Sequence, residues 1–148
     1  MVVLETLDKY FGLMLGIAYI CIPLLVLVGC SSGESRLPTY AAKGQLLAAD
    51  GQPVPHALVV LHSIDGDATA PKPRATTDLE GKFQLTTYDT ADGAPEGSFV
   101  VTVEQWLRVD PNEPPKNLLP QALSSKDSSD IRVAISKSEN VLEPIRLR

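Results

Sequence analysis

From Ala41 to the last residue, Arg148, the chain never sustains a helical period. Short apolar runs are broken instead by turn formers at close intervals, a pattern that restricts the segment to strands. The first run, Ala41–Ala48, meets the turn Ala49-Asp50-Gly51-Gln52, whose Asp-Gly supplies the left-handed residue a tight reversal needs. Ala57–Ile64 (ALVVLHSI) is dense in branched residues and reads as a strand buried on both faces, or nearly so. Asp65–Arg74 is a polar loop with Pro71 and Pro73. Ala75–Asp78 then leads through Asp78-Leu79-Glu80-Gly81 into Lys82–Tyr88, where Phe83, Leu85 and Thr87 alternate with polar neighbours. After a turn region at Asp89–Gly97, Ser98–Trp106 places Phe99, Val101 and Val103 on one face. Leu107–Ser125, with four Pro and no alternation, reads as a long connection without ladders. Asp130–Ser136 turns Ile131, Val133 and Ile135 inward, and Val141–Arg148 does the same with Ile145 and Leu147. Seven short strands at this spacing predict an all-β domain, a seven-stranded antiparallel Greek-key sandwich.

What precedes residue 41 is a different kind of sequence. Residues 1–29 hold 21 apolar residues, and Tyr10–Gly29 runs twenty residues without a charge. That length spans a bilayer as a helix, and it also serves as the apolar core of a secretory signal. The basic flank is thin, with Lys9 alone against Glu5 and Asp8. The stretch closes on Leu27-Val28-Gly29-Cys30 and passes at once into Ser31-Ser32-Gly33-Glu34-Ser35. This junction resembles a bacterial lipobox. The resemblance implies a signal helix over 1–29, cleavage between Gly29 and Cys30, and diacylglycerol (palmitate-type chains) on the Cys30 thiol. Residues 30–42 then form the lipidated Cys and a polar tether, and 43–148 the folded domain. Two or more acyl chains anchor stably where one does not, at about 0.8 kcal/mol per buried CH₂.

Composition narrows the chemistry. The net charge of −5, from 13 basic and 18 acidic side chains, argues against a nucleic-acid binder, which would show a basic face. The two cysteines, Cys21 and Cys30, both lie in or just after the apolar segment, so no disulfide can staple the strands. Asp65, Asp67, Asp78, Asp89 and Asp92 lie near turns, but Asp65-Gly66-Asp67 lacks the further ligands of a dedicated calcium loop. His56 and His62 are six residues apart, with no cysteine or carboxylate cluster to complete a zinc site. The one G-x-S-x-G match, Gly29-Cys30-Ser31-Ser32-Gly33, lies at the end of the apolar segment and lacks the preceding strand and following helix that a nucleophile elbow needs. The expectation is therefore a chain that is not an enzyme and needs no cofactor or metal. Trp106, with Tyr88, is the candidate binding surface, since one aromatic face can cover a sugar ring; a core or rim position is the structural alternative.

Three segments carry a family resemblance. Gly44-Gln45-Leu46 with Asp50-Gly51-Gln52-Pro53-Val54-Pro55-His56-Ala57-Leu58-Val59 resembles the opening of carboxypeptidase regulatory-like domains. Thr77-Asp78-Leu79-Glu80-Gly81-Lys82-Phe83 is similar to their T-D-x-x-G-x-F element. Thr86-Thr87-Tyr88, Asp92–Gly97 and Phe99–Val103 complete a pattern of small planctomycete-type lipoproteins. Their ending, too, resembles Ser124–Leu147, with Glu139-Asn140 before the final strand. One departure is His56, where that family usually carries Gly.

The resemblance covers about residues 43–148 and implies a transthyretin-like sandwich. The matching residues also have a purely structural reading. Asp78 can cap its own turn, Gly81 can take the left-handed position, and Pro53 and Pro55 can withhold donors beside a sheet edge. The related hydroxyisourate hydrolases end in Tyr-Arg-Gly-Ser, whereas this chain ends Ile145-Arg146-Leu147-Arg148. The expected protein is a lipid-anchored component of the bacterial cell envelope, on the periplasmic or surface face. Its expected role is structural or interactive, toward an unknown envelope protein or glycan. The alternative is a carbohydrate- or peptide-binding module.

Overall fold

The computed structural model describes residues 36–66 and 69–148. The expected signal helix, Gly29, Cys30 and residues 31–35 of the expected tether lie outside the described residues, as does Asp67. No helix among the described residues is long and apolar enough to cross a membrane.

The chain runs β1 (Thr39–Tyr40), β2 (Ala42–Leu47), β3 (Leu58–Ser63), β4 (Arg74–Thr76), β5 (Lys82–Gln84), β6 (Ala94–Pro95) and β7 (Gly97–Glu104). It continues through β8 (Trp106–Leu107), β9 (Lys116–Asn117), a 3-10 turn at Gln121–Ser124, β10 (Arg132–Ile135), β11 (Asn140–Val141) and β12 (Ile145–Arg146). The fold is all-β, and most pairings are antiparallel. One sheet has the order β10-β7-β3-β4. The second is built on β2, with β5 antiparallel along one edge and β11 and β12 parallel along the other. Two-stranded ladders join β1 to β6 and β8 to β9.

Branched and aromatic side chains at alternate positions bring both sheets onto one buried cluster. Val59, Leu61, Val101 and Val103 come from the first sheet, and Leu46, Phe83, Ile145 and Leu147 from the second. Each such side chain taken fully out of water contributes about 1.5–3 kcal/mol, which is what holds the two sheets together. The sheets are also joined covalently and by backbone bonds at one seam, where Arg74 and Thr86 exchange two hydrogen bonds of 2.9 Å.

The seven expected runs each contain a ladder, and the alternations of Phe83 with Leu85, of Phe99 with Val101 and Val103, and of Ile145 with Leu147 face inward. Three expectations change. β3 is buried on one face only: Val59 and Leu61 are fully enclosed, while Leu58 is 37% exposed. The run after Gly81 leaves β2 beyond Leu85, whose amide still donates to the Ala42 carbonyl at 2.9 Å, because Thr86 is taken by Arg74 and the next three amides by Asp92. Residues 107–125 are not without ladders, since Leu107 and β9 form a hairpin with the 3-10 turn behind it.

The residue that departs from the family pattern occupies a demanding position. His56 has φ of +54°, in the left-handed region, with its amide donating to the Thr77 carbonyl at 3.0 Å and its side chain exposed. A side chain with a Cβ costs about 1–2 kcal/mol there, of which the greater chain freedom of glycine returns part. His56→Gly is therefore expected to stabilise the domain by about 0.5–1 kcal/mol in urea denaturation, whereas a loss of stability would contradict the backbone argument.

Candidate functional site

The expected surface residues lie at two different places. Tyr88 sits in the turn before β6, and its hydroxyl accepts a hydrogen bond from the Leu37 amide at 3.1 Å, just where the chain enters β1. Trp106 follows the other end of β7, eight residues of extended chain away from the β6 junction. The two aromatics therefore do not form one platform.

Trp106 belongs to the hairpin of β8 and β9. Its indole Nε1 donates to Glu104 Oε2 at 2.8 Å, which fixes the ring on the side of the hairpin shared with Glu104. Trp106 is 55% exposed, so it is not a core residue. Leu107, Val109 and Leu118 are exposed beside it in sequence, giving one hairpin four large apolar side chains in water. Single exposed apolar residues are ordinary, but the register, with Trp106 opposite Asn117 and Leu107 opposite Lys116, gives this hairpin an exposed apolar side chain on each face, Trp106 on one and Leu107 with Leu118 on the other.

The hairpin is held by polar groups at its base. Gln105 Nε2 donates to the Pro55 carbonyl at 2.7 Å, and the Gln105 amide donates to Asn117 Oδ1 at 2.9 Å. Asn117 Nδ2 in turn donates to Ser124 Oγ at 3.0 Å, tying β9 to the 3-10 turn. At the tip, Arg108 Nη1 donates to the Pro111 carbonyl, and Asp110 Oδ1 accepts from the Asn112 amide. Lys116 and Glu113 form an exposed ion pair at 2.6 Å, worth well under 1 kcal/mol after screening. The sequence signal for this hairpin was the turn-forming Asp110-Pro111-Asn112 between the apolar pairs Trp106-Leu107 and Leu118-Leu119.

The remaining candidate residues serve the backbone. Asp78 Oδ1 accepts from the amides of Glu80 and Lys82 at 3.0 and 2.8 Å. Gly81 has φ of +70°, and a Cβ there would run into the Leu46 carbonyl. His62 Nε2 lies 2.9 Å from Thr102 Oγ1. Partial burial, with Lys72 and Lys126 nearby, holds His62 below its ordinary pKa. Among the described residues no three His, Cys, Asp or Glu side chains are grouped closely enough to hold a metal ion.

Asp92 closes the turn that carries Tyr88. Its carboxylate accepts from the amides of Thr87, Tyr88 and Asp89 at 2.7–3.1 Å. Partial burial pushes its pKa up, but these amides outweigh that and hold it below the usual carboxylate range. A depressed pKa in the folded state gives stability that is whole above the unfolded value and lost as pH falls through the folded one. Asp92→Asn is expected to cost about 1 kcal/mol at pH 7, discounted for solvent screening. That difference should hold constant above about pH 5 and shrink below about pH 4 in urea melts. A difference independent of pH would contradict the carboxylate's role.

No family model matches the chain, and no curated protein matches it. A solved structure of a 9R-lipoxygenase from Cyanothece is similar over 74% of this chain at 16% identity, with a TM-score of 0.39. This chain covers 16% of that enzyme's length, and a likeness of this size assigns neither fold nor activity.

Proposed function

We propose that the protein is a lipid-anchored envelope protein, held in the membrane through Cys30, that carries one carboxypeptidase regulatory-like Greek-key sandwich and acts by contact rather than catalysis. The observation that carries this reading is how the motif residues are used. Thr77, Asp78, Gly81 and Asp92 each satisfy or accommodate backbone groups of their own turns and neighbours. Among these motif groups, no nucleophile stands beside a base. The β8–β9 hairpin, with Trp106, Leu107, Val109 and Leu118 exposed, is the element that offers a partner most apolar side chains.

The position of the tether supports a contact role. The chain enters the domain at Leu37, beside Tyr88, while the hairpin lies at the far end of β7. A domain tethered through the chain before Leu37 would then carry Trp106, Leu107, Val109 and Leu118 at the end of β7 opposite the one beside its point of entry. The exposed indole of Trp106 favours a second reading, a module that stacks a sugar ring of an envelope glycan.

The anchor and the surface are tested together on protein extracted from membranes. The intact mass should show loss of residues 1–29 and acyl chains on Cys30, and an unmodified Met1 terminus would overturn the anchor. Cross-linking in intact envelope should recover a partner whose yield falls about tenfold with Leu118→Ser and Trp106→Ala together, the size of loss expected for removing central apolar contacts. Retention of a peptidoglycan interaction that only Trp106→Ala abolishes would favour the glycan module. Yields unchanged by either substitution would remove the hairpin as the contact surface.

A further inference from the structure

The two sheets are stitched at the seam between β4 and the chain beyond β5, and they stand apart at the other. There β10 is the last strand of one sheet, and β11 and β12 form the margin of the other. A groove of about 500 Å³ runs between these margins, lined by residues 130–134 and 141–146 with Arg148.

The backbone along one wall of the groove lacks partners. The Ile131 carbonyl accepts from the Val101 amide at 3.0 Å, and this sets the phase of the β10–β7 ladder. Residues 131, 133 and 135 bond to β7, while the N–H and C=O groups of Arg132 and Ala134 point the other way, toward the groove. The neighbouring strand agrees with this phase, since the Ser98 carbonyl, opposite Ala134, accepts from the Ile64 amide on the β3 side. No described residue bonds the outward groups of Arg132 and Ala134. A short edge with unmet donors and acceptors two residues apart is a template for an added strand.

The charge of the groove says what kind of strand it takes. Arg132, Arg146 and Arg148, three of the chain's six arginines, line it together with Asp130 and Glu143. The lining is thus positive by one in a chain whose net charge is −5. Arg132 is aimed by Nη1 donating to the carbonyls of Ser129 and Ile131 at 2.8 and 3.1 Å. Arg146 and Arg148 are in no ion pair among the described residues. Guanidinium groups hold carboxylates through paired N–H donors, which gives direction as well as attraction.

We propose that this seam binds a short extended peptide segment rich in carboxylates, which adds as a strand to the outer edge of β10. The guest's alternate amides and carbonyls meet those of Arg132 and Ala134, and its acidic side chains meet the arginines. The four outward groups accommodate about three or four guest residues. The site does not depend on the lipid anchor or on the β8–β9 hairpin.

The test uses the full chain in detergent and a fluorescein-labelled peptide of alternating Glu and Val, six residues long, read by anisotropy. Saturable binding is expected. N-methylation of alternate peptide amides should weaken it about tenfold or more, with the protein itself unchanged. Ala134→Pro should do the same, because the N–H it removes points into the groove rather than to β7. Arg146→Glu should weaken binding about fivefold, and a Lys-Val peptide should not bind. Absence of saturable binding would overturn the proposal. So would equal binding of the N-methylated peptide, or competition by inorganic phosphate as effective as that by the unlabelled peptide, since charge alone would then suffice. A concentration-dependent dimer broken by Ala134→Pro would make a second copy the occupant and overturn the peptide reading.

Discussion

The Thr77 hydroxyl is the interaction on which the rest of the domain depends. It donates to the Val54 carbonyl at 2.7 Å and accepts from the Ala57 amide at 2.8 Å, while 2% exposed. The Thr77 amide donates to the Ala57 carbonyl, and its own carbonyl accepts from His56, so one residue fixes the whole entry into β3. Four residues on, the Gly81 carbonyl accepts from Leu46 and places β5 against β2. β3 belongs to one sheet and β2 to the other, so this short segment sets the relative position of both. Without it, the Val54 and Ala57 backbone groups would be buried and unpaired, at about 1–3 kcal/mol each.

That use of the motif bears on function. A residue that satisfies two buried backbone groups is not available to a substrate, and the same holds for Asp92 with its three amides. The groups left over lie at the margins: an apolar hairpin beyond β7, and the arginine-lined seam between β10 and β12. Both are surfaces suited to contact, and they are separate. The hairpin offers side chains, whereas the seam offers backbone groups with charge beside them. On the proposed anchoring through Cys30, a domain with two such surfaces would act by bringing components together.

Much of this was legible in the sequence because it is local. Alternation at Phe83 and Leu85 follows from the pleat, and Gly51 and Gly81 take the positive φ that their turns require. The T-D-x-x-G pattern gave the Asp78 cap, although its second amide comes from Lys82, four residues on. What the sequence did not disclose is non-local. Nothing in Val141–Arg148 announces that it lies parallel to β2, because its inward Ile145 and Leu147 would suit either direction. The β8–β9 hairpin was hidden by its Pro content, and its ladder is only two residues long. The separation of Tyr88 from Trp106 depends on the path of β7, which no spacing rule contains.

Urea denaturation of two Thr77 variants decides whether the T-D-x-x-G-x-F segment is spent on the fold. Thr77→Val keeps the shape and removes the hydroxyl, leaving the Val54 carbonyl and Ala57 amide unpaired, and is predicted to cost about 2–4 kcal/mol. Thr77→Ser keeps the hydroxyl and loses one methyl, at about 1 kcal/mol. The valine variant is expected to be clearly the less stable of the two. A valine variant as stable as the serine variant, or more so, would contradict that role.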